Sequence, residues 1–462
     1  MARLKASYDA IPAGAPVRLA KKTSNLFRPR AHTDTPGLDV SGLDGVIEVD
    51  PVARTAEVQG MCTYEHLVDA TLPHGLIPYV VPQLKTITLG GAVSGLGIEA
   101  TSFRNGLPHE SVEEMDIFTG AGEIVTTRPA PDEHSELFDT FPNSYGSLGY
   151  TTRIRIKLEQ VPDRVELRHV RFDDAGLLAK TVAEIVESRE YDGLQVDGLD
   201  GVAFAPGEYY LTLARWLSSE GEEPAPIGAG PSALEETSDY TGQQIYFRSI
   251  QQRRTDLLTM HDYLWRWDTD WFWCSGAFGV HNPVVRRLWP KRWRRSDVYH
   301  HLIGLNRRTG FMDWVDRRKG RPQREMVVQD VEIPVERLEE FLDWFDTEVG
   351  MRPVWLCPLV SPGTSTGAQW PTYPLHPGTT YVNVGFWGTV HVGPDAPDAP
   401  RNRAIEAKVQ ELGGHKSLYS EAFYDRDTFD RLYDGAHLAA VKNRYDPDDR
   451  LLSLYDKAVR DR

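Results

Sequence analysis

The sequence has 462 residues, of which 40% are hydrophobic, 26% are charged and 10% are aromatic. These values are typical of a soluble globular protein of two or three domains, and they exclude a disordered, collagen-like or disulfide-stapled chain. The net charge of −16 argues against bulk binding of nucleic acid.

Targeting and redox signals are sparse. The first twenty residues lack the long apolar core of a secretory signal, and no run reaches about 18 consecutive apolar residues. Cys62, Cys274 and Cys357 are too few for a disulfide framework or a Cys-rich zinc site. We therefore expect a protein of the cytoplasm without a metal site, with any membrane association limited to the cytoplasmic face.

The N-terminal third predicts short strands and tight turns. Apolar and polar residues alternate at Gly45–Asp50 and at Thr55–Gly60, as in half-buried strands. Thr63–Gly75 has the pattern of a helix, with Thr63 as its N-cap. A hairpin at Glu113–Thr127, turning at Gly120–Gly122, and a strand at Thr151–Glu159 follow.

The pattern changes after Val161. Helical spacing of apolar residues predicts a helix within Phe172–Glu190, and Val196–Trp216 predicts two strands joined by a turn. Val327–Val349 predicts a strand followed by an amphipathic helix. Residues 218–242 are acidic and rich in Gly, Pro and Ser, which predicts a surface loop or a locally disordered segment.

A glycine-rich segment, Pro82–Ser111, carries most of the functional signal. Five glycines and several Thr and Ser residues let backbone N–H groups and hydroxyls approach a ligand closely. Three interpretations are open at this point: a structural turn, a Rossmann loop that begins at Gly95-Leu96-Gly97, and a flavin-binding loop outside the Rossmann fold. The Rossmann pattern is incomplete, because Ala100 holds its last position.

The surroundings favour the flavin loop. A strand pair, a helix, the T-x-G-G sequence at Thr88–Gly91, a G-x-G, an R-N-G, the hairpin and then Gly146–Leu158 follow in order. This order resembles the FAD-binding domain of the p-cresol methylhydroxylase (PCMH) and vanillyl-alcohol oxidase superfamily. Seven segments look like its Δ24-sterol reductase branch: Thr88–Ser102, Tyr263–Trp273, Asn282–Pro290, Val328–Pro334, Pro353–Pro358, Leu418–Tyr424 and Leu454–Val459.

These segments look closest to actinobacterial flavin reductases that work with a fatty-acyl methyltransferase. Those enzymes convert a methylene branch on a phospholipid acyl chain into a methyl branch, as in 10-methylstearate (tuberculostearate) formation. The resemblance implies an α+β fold, with a PCMH-type FAD-binding domain of two subdomains over residues 1–160. It further implies a substrate or cap domain of α+β type over 161–410 and a C-terminal segment, 411–462, that returns to the flavin domain.

The resemblance also implies the cofactors and their contacts. FAD is expected, with NADPH or NADH as the electron donor. Many members carry a flavin-linked histidine in an N-terminal Gly-rich loop, where this chain has Lys21–Asn25 and no histidine. We therefore expect non-covalent FAD. The residues implied to contact it are Thr23, Ser24, Thr88, Leu89, Gly90, Gly91, Gly95, Gly97, Ile98, Glu99, Ser102, Gly149 and Ile154.

Reduction of an isolated C=C bond requires a hydride on one carbon and a proton on the other, so an acid has to lie on the substrate side. The candidates are Tyr419, Glu421 and Tyr424; in a strand, the first two would share one face. The alternative is that the tyrosines belong to the core and that Glu421 pairs with a base. Glu99, His437 and Lys442 rank lower.

A basic region spans Val284–Arg324, with 13 Lys or Arg and 3 Asp or Glu, which gives it a net charge of +10. It predicts a solvated surface, a peripheral contact with an anionic membrane, or a site for a nicotinamide phosphate or an acidic partner. Just before it, Trp265–Gly279 holds four Trp and two Phe. That stretch fits either a buried core or the lining of an apolar lipid channel.

We thus expect NAD(P)H-driven reduction of a lipid C=C bond, with a phospholipid acyl chain as substrate and a fatty-acyl methyltransferase as partner. Two other classes stay open. One is a flavin oxidase or dehydrogenase of an alcohol or sugar, and the other is a non-catalytic lipid-binding partner of a methyltransferase.

Overall fold

The computed structural model describes residues 1–21, 27–28, 35–217, 236–309, 318 and 323–459. The fold is α+β, and two antiparallel sheets organise it. The first sheet ends at Gln160, and the second begins four residues later at Arg164.

The strands of the first sheet are β1 (Val46–Asp50), β2 (Thr55–Gln59), β3 (Leu76–Pro78), β4 (Val112–Phe118), β5 (Ile124–Thr127) and β6 (Tyr150–Gln160). Their order is β1-β2-β6-β4-β5, and β3 pairs with the end of β6. All of these pairs are antiparallel. The Rossmann interpretation is therefore wrong, because that fold requires a mostly parallel sheet.

The remaining strands of the described ranges are β7 (Arg164–Phe172), β8 (Glu190–Tyr191), β9 (Leu194–Gln195), β10 (Gly198–Ala205), β11 (Glu208–Leu217), β12 (Thr255–Thr259), β13 (Arg324–Pro334), β14 (Val354–Val360), β15 (Thr380–His391) and β16 (His415–Lys416). All except β8 and β9, which form a separate ribbon, build the second sheet in the order β12-β7-β11-β10-β14-β15-β13-β16. β13 and β15 therefore lie side by side near one edge.

The α-helices of the same ranges are α1 (Ala2–Asp9), α2 (Tyr64–Thr71), α3 (Leu89–Gly95), α4 (Ser102–Asn105), α5 (Ser135–Thr140), α6 (Ala175–Ser188), α7 (Tyr246–Gln252), α8 (Met260–Trp265), α9 (Pro283–Leu288), α10 (Ser296–Thr309), α11 (Leu338–Glu348), α12 (Pro400–Glu411), α13 (Arg426–Leu432), α14 (Gly435–Tyr445) and α15 (Leu454–Ala458). None of the helices that the structure describes is both long and apolar enough to cross a membrane.

Local sequence signals explain several elements. Thr63 caps α2 by accepting a hydrogen bond from the His66 N–H at 3.3 Å, and Gly75 ends the following turn at a φ of 68°. The structure confirms the predicted hairpin (β4–β5) and the predicted strand β6. It also confirms a strand followed by a helix, which are β13 and α11. Of the predicted loop at 218–242, residues 218–235 lie outside the described residues.

Both ends of the chain contact the first sheet. The Ala121 N–H in the β4–β5 turn donates to the Tyr445 carbonyl at 3.1 Å, and the Val17 N–H donates to the Arg450 carbonyl at 2.7 Å. Lys457 Nζ donates to the Gly146 carbonyl at 2.6 Å. The C-terminal helices thus hold the loop before β6 in place.

The two sheets meet at α4. The Leu199 N–H of β10 donates to the Ala100 carbonyl at 2.7 Å, and Arg104 Nε donates to the Asp197 carbonyl at 2.6 Å. The glycine-rich segment therefore lies between the two sheets, and the cavities described next open there.

Candidate functional site

A cavity of about 450 Å³ lies along the glycine-rich segment; we call it the outer cavity. Its lining residues come from the N-terminal segment, the region of α2 and α3, the loop before β6 and one turn near the C-terminus. They are Leu19, Lys21, Arg28, Asp44, Met61, Thr63, His66, Thr86, Ile87, Thr88, Gly90, Gly91, Ala92, Ser94, Gly95, Leu96, Tyr145, Gly146, Gly149, Tyr150, Thr151 and Tyr419.

The predicted glycine loop is in part the short helix α3. The Thr88 hydroxyl accepts the Gly91 N–H at 3.3 Å, which begins the helix, and Leu96 ends it at a φ of 62°. The Gly90 N–H donates to the Gly60 carbonyl at 3.0 Å. A Cβ at Gly90 would collide with the Thr151 hydroxyl and the Gly60 carbonyl, so glycine there lets α3 lie against the first sheet.

Two cationic side chains reach the outer cavity. Lys21 Nζ lies 3.2 Å from the Thr88 hydroxyl. The Arg28 guanidinium stacks on the Tyr145 ring at 4.5 Å from its centroid. The lining combines cations and hydroxyls with apolar side chains such as Met61, Ile87 and Leu96, a combination that suits a diphosphate joined to an apolar ring system.

A second cavity, of about 140 Å³, adjoins the first; we call it the inner cavity. Ile87, Gly95, Leu96 and Tyr419 line both. The rest of its lining is Phe27, Pro82, Gln83, Leu84, Gly97, Ile98, Trp271, Phe272, Cys274, Asp330, Trp355, Trp387 and Ser417. Five of these side chains are aromatic, so the inner cavity suits an apolar group.

Part of the aromatic stretch Trp265–Gly279 belongs to the buried core, and part of it lines a cavity. Trp265 and Trp267 are buried in the core, whereas Trp271 and Phe272 line the inner cavity. Burial raises the pKa of the Cys274 thiol, which also lines it, to about 12. That thiol is therefore neutral at physiological pH and contributes an apolar surface.

Most of the predicted FAD contacts are found at the cavities. Thr88, Gly90, Gly91, Gly95 and Gly149 line the outer cavity, and Gly97 and Ile98 line the inner one. Thr23 and Ser24 lie outside the described residues.

Four other predicted contacts are placed elsewhere. Leu89 and Ile154 belong to the hydrophobic core. The Ser102 hydroxyl accepts the Glu99 N–H at 3.1 Å and thereby fixes the backbone before α4. Glu99 itself forms a buried ion pair with Arg266 at 3.2 Å and accepts from Gln83 Nε2 at 2.7 Å. Arg266 NH2 also pairs with Asp200 at 3.1 Å, so this cluster ties the two sheets together.

Sequence reasoning missed several lining residues. Arg28, Met61, Tyr145 and Thr151 were not among the candidates, although Thr151 falls in a segment that the resemblance included. Tyr145 precedes the Gly146 turn, and its hydroxyl donates to the Gly95 carbonyl at 2.6 Å. A tyrosine in a turn gives no distinctive signal in one sequence.

Leu418–Tyr424 is not a strand, so the condition under which Tyr419 and Glu421 would share one face is not met. The segment is a turn with single bridges at Ser420 and Ala422, so its side chains do not alternate between two faces. Of the three proton-donor candidates, Tyr419 lines both cavities. Tyr424 packs near Tyr433 in the core. Glu421 lies beside Lys416, whose Nζ donates a hydrogen bond to the Glu421 backbone carbonyl at 2.6 Å.

The lower-ranked candidates serve other contacts. The His437 ring hydrogen-bonds with the Thr140 hydroxyl at 2.8 Å, and Lys442 pairs with Asp446 at 2.6 Å. The His300 ring contacts Phe27 and Trp271. Within the described part of the chain, no group of three His, Cys, Asp or Glu side chains has the arrangement of a metal site.

Asp330, on β13, is an acid at the inner cavity that the sequence did not single out. Burial raises its pKa to about 7, against hydrogen bonds from Asn383 and Tyr419 that lower it. The Trp387 indole N–H donates to the Tyr419 hydroxyl at 2.8 Å. Burial also raises the pKa of Tyr419 well above its usual value. An acid, a phenol and an indole thus meet at the junction of the two cavities.

The basic segment divides into two sets. Arg286 forms a two-pronged pair with Asp270, Arg294 donates to three backbone carbonyls, and Arg295 forms a two-pronged pair with Glu65. These arginines are structural, so the interpretation of the segment as a solvated surface, one of the three left open, does not hold for them. Residues 310–317 and 319–322 lie outside the described residues.

The other set is exposed, and we call it the ridge: Val284, Arg287, Leu288, Lys291, Arg292 and Trp293. Leu288 is 79% exposed, Val284 67% and Trp293 48%. Three large apolar side chains thus stand in solvent beside three cations.

Comparisons with known proteins agree with this geometry. Residues 6–128 match the FAD binding domain family, a range that includes Lys21, α2 and α3. The chain is 24% identical to the Delta(24)-sterol reductase of Arabidopsis thaliana over 454 residues, covering 92% of this chain and 77% of that protein. It is also 24% identical to the Delta(24)-sterol reductase of Homo sapiens over 440 residues, covering 91% and 75%.

A further match covers less of the chain. Over 135 residues the chain is 34% identical to cytokinin dehydrogenase 10 of Oryza sativa subsp. japonica, covering 29% of this chain and 24% of that protein. The long matches extend through both sheets, whereas this one does not. The chain is thus an FAD-binding oxidoreductase related to the Delta(24)-sterol reductases.

Proposed function

We propose that this protein is an FAD-dependent reductase that uses NAD(P)H to reduce a C=C bond in the acyl chain of a lipid, converting a methylene branch into a methyl branch. The observation that carries the proposal is the inner cavity, because it is aromatic, narrow and continuous with the outer cavity at Tyr419. An apolar chain segment fits such a site.

The volume of the inner cavity favours an acyl chain over a sterol. At about 140 Å³ it is well below the range of roughly 300–1,000 Å³ that is usual for sites of drug-sized ligands. A cavity of this size, lined by Trp271, Trp355 and Trp387, suits a thin segment of an acyl chain better than a fused ring system.

The residues of the outer cavity fit a non-covalently held FAD. Lys21 and Arg28 would hold the diphosphate, with the hydroxyls of Thr88 and Thr151 as further partners. Glycine at position 90 keeps α3 close to the first sheet and so preserves the shape of the cavity. When bound, FAD supplies hydride transfer between the nicotinamide donor and the substrate carbon.

Anaerobic titration tests this function. The purified protein is expected to be yellow with acid-releasable FAD and to bleach on addition of NADPH or NADH. A phospholipid with a methylene-branched acyl chain should then restore the colour and yield the methyl-branched product. A flavin that is reduced by an alcohol or sugar and reoxidised by oxygen, without a nicotinamide requirement, would show an oxidase instead. Reoxidation by a Δ24-unsaturated sterol, and not by the phospholipid, would overturn the acyl assignment.

The cofactor site has its own test. Gly90→Ala places a methyl group against the Thr151 hydroxyl and the Gly60 carbonyl, so we expect FAD content to fall more than about tenfold. Gly393→Ala is the matched control, because a Cβ there meets open space. Equal FAD content in both variants would contradict the placement of FAD along α3.

The ridge fits the surface of an anionic bilayer, where a phospholipid substrate resides. Leu288 and Trp293 would enter the interface, and Arg287, Lys291 and Arg292 would contact lipid phosphates. The contact between the Trp289 and Tyr299 rings, and that between the His300 and Trp271 rings, link this region to the inner cavity. A methyltransferase partner stays a prediction.

Vesicle sedimentation tests the ridge. The protein should bind vesicles that contain phosphatidylglycerol, bind pure phosphatidylcholine weakly, and dissociate at high salt. Leu288→Ser with Trp293→Ser should abolish binding, whereas Val52→Ser, at a residue that is 94% exposed in the β1–β2 turn, should not. Unchanged binding by the double variant would exclude the ridge as the contact.

A further inference from the structure

The carboxyl of Asp330 occupies a place that the backbone leaves open for it. Asp330 pairs with Gly385 across β13 and β15. A Cβ at Gly385 would collide with Asp330 Oδ1 and would come within 2.8 Å of the Trp387 ring. Glycine at 385 therefore permits the acid and the indole to lie side by side on the inner cavity.

The groups that face Asp330 are neutral or acidic. Asn383 Nδ2 lies 3.5 Å from its carboxyl, and the Tyr419 hydroxyl is near enough to lower the pKa of Asp330. Asp330 and Tyr419 both line the inner cavity. Glu332 on the same strand, Tyr145 before β6 and Cys357 on β14 are near enough that a charge on Asp330 raises their pKa values. Burial among such groups favours the protonated acid.

The hydrogen bonds of Tyr419 depend on that proton. An indole N–H can only donate, so the phenolic oxygen accepts from Trp387. A protonated Asp330 can also donate to this oxygen, which leaves the phenolic proton directed at the cavities that Tyr419 lines. An ionised Asp330 can only accept, and it then takes the phenolic proton for itself.

We propose that Asp330 and Tyr419 form a proton-donating pair, in which Tyr419 delivers the proton to the substrate carbon and Asp330 replaces it. This inference rests on the proposed function, whose proton donor it identifies. Tyr419 touches the substrate in this scheme, and Asp330 acts through it as a proton reservoir at the cavity wall.

The step balances as follows. The π electron pair of the alkene forms a C–H bond to the phenolic proton, and the electrons of the broken O–H bond stay on the Tyr419 oxygen. That oxygen takes the Asp330 proton in the same step, because burial makes a phenolate costly. The other carbon gains the hydride that originates from the nicotinamide donor. Asp330, now a carboxylate, regains a proton from water.

Measuring the two half-reactions separately, reduction by NADPH and reoxidation by lipid, tests the role of Asp330 and Tyr419. Asp330→Asn and Tyr419→Phe should slow the lipid-dependent reoxidation of the reduced protein by about 100- to 10,000-fold, far more than they slow its reduction by NADPH. In the unaltered protein this reoxidation should slow as the pH rises through about 7, and the Asn variant should lose that dependence.

Glu110→Gln is the matched control. Burial raises the pKa of Glu110 to about 7 as well, but its carboxyl bonds to Ser361 and Trp370, outside the linings of both cavities. This variant should keep the rate of reoxidation and its pH profile. If all three carboxyl and phenol variants behaved alike, a general effect of buried groups would replace the proposal.

Infrared difference spectra give a second readout that needs no turnover. The protonated-carboxyl absorption that titrates near pH 7 has contributions from Asp330 and Glu110, and Asp330→Asn should remove one of them while Glu110→Gln removes the other. The Asp330 contribution should shift its midpoint in Tyr419→Phe. An Asp330 that is already ionised at pH 5 would overturn the pair, whatever the substrate. A protein whose flavin no lipid alkene reoxidises would instead overturn the proposed function, while the spectra still judged the hydrogen bond between the two residues.

Discussion

The molecule has two groups of buried acids, and only one of them is paired with a buried cation. Glu99 and Asp200 share the Arg266 guanidinium, and the indoles of Trp267 and Trp355 add hydrogen bonds to Asp200. Asp330 has a phenol and an amide instead of a cation, and it faces a cavity. The first arrangement keeps its charges in a sealed core, and the second stores a proton where a ligand can reach it. A buried acid is therefore a functional candidate when its counter-charge is missing and space adjoins it.

The largest expected effect is on the sealed cluster. Arg266→Leu leaves two buried carboxylates without their cation and should lower the free energy of unfolding by about 3–5 kcal/mol. Urea denaturation at pH 7 measures this. Arg128→Leu, which removes an exposed pair with Glu114, should cost less than about 1 kcal/mol. Equal losses would remove the distinction between sealed and exposed pairs.

The pH dependence of stability tests whether the buried carboxyl of Asp330 keeps its proton. The pKa of Asp330 rises from 3.8 to about 7 on folding, so the folded state holds the proton more tightly. The contribution of Asp330 to stability is therefore fully present below about pH 4 and is lost as the pH rises to about 7, by up to about 4 kcal/mol. Between pH 4 and pH 8, the free energy of unfolding of Asp330→Asn should therefore rise by that amount relative to the unaltered protein, as measured by urea denaturation. A difference that stays constant with pH would mean that Asp330 is ionised throughout.

Gly385→Ala alters the position of the acid without changing its charge. The new methyl group collides with Asp330 and Trp387, so unfolding should become easier by about 1–3 kcal/mol, and the pH midpoint of lipid-dependent reoxidation should move. On the same strand, Gly388→Ala meets the flexible Met351 Sδ at 2.7 Å and serves as the control. An unmoved midpoint would show that the geometry at 385 is not needed.

Gln83→Leu should have a smaller effect than Arg266→Leu. It removes the amide that donates to Glu99 at 2.7 Å but leaves Arg266 in place, so about 1–2 kcal/mol of stability should be lost. The pH profile that belongs to Asp330 should not change. A loss as large as that of Arg266→Leu would mean that the amide, and not the cation, holds Glu99.

Periodic and capping signals identified much of the fold. Alternation of apolar and polar residues located β1, β2 and β6, and Thr63 marked the start of α2. The glycine-rich segment located one wall of the site, because glycines at 90 and 95 permit close approach that other residues would block. Such signals are local, since each depends on residues a few positions apart.

The sequence predictions failed where a side chain's surroundings come from residues far away in the chain. Tyr419, Glu421 and Tyr424 were candidates for the proton donor, and only the tertiary structure places Tyr419 at both cavities and the other two away from them. Glu99 was assigned to the cofactor because of its neighbours in sequence, yet Arg266, 167 positions away, pairs with it. Asp330 carried one clue, an acid within the apolar pattern of a buried strand, and nothing local distinguished it from Glu332.

The sequence by itself determined the antiparallel hairpin at β4–β5, the cap of α2 and the glycine wall, because backbone conformation follows from neighbouring residues. Only the tertiary structure decided which buried acid has a counter-ion and which faces a cavity. Whether a buried carboxyl keeps its proton depends on desolvation and on charges that arrive from distant segments, and both are set when the two sheets pack together.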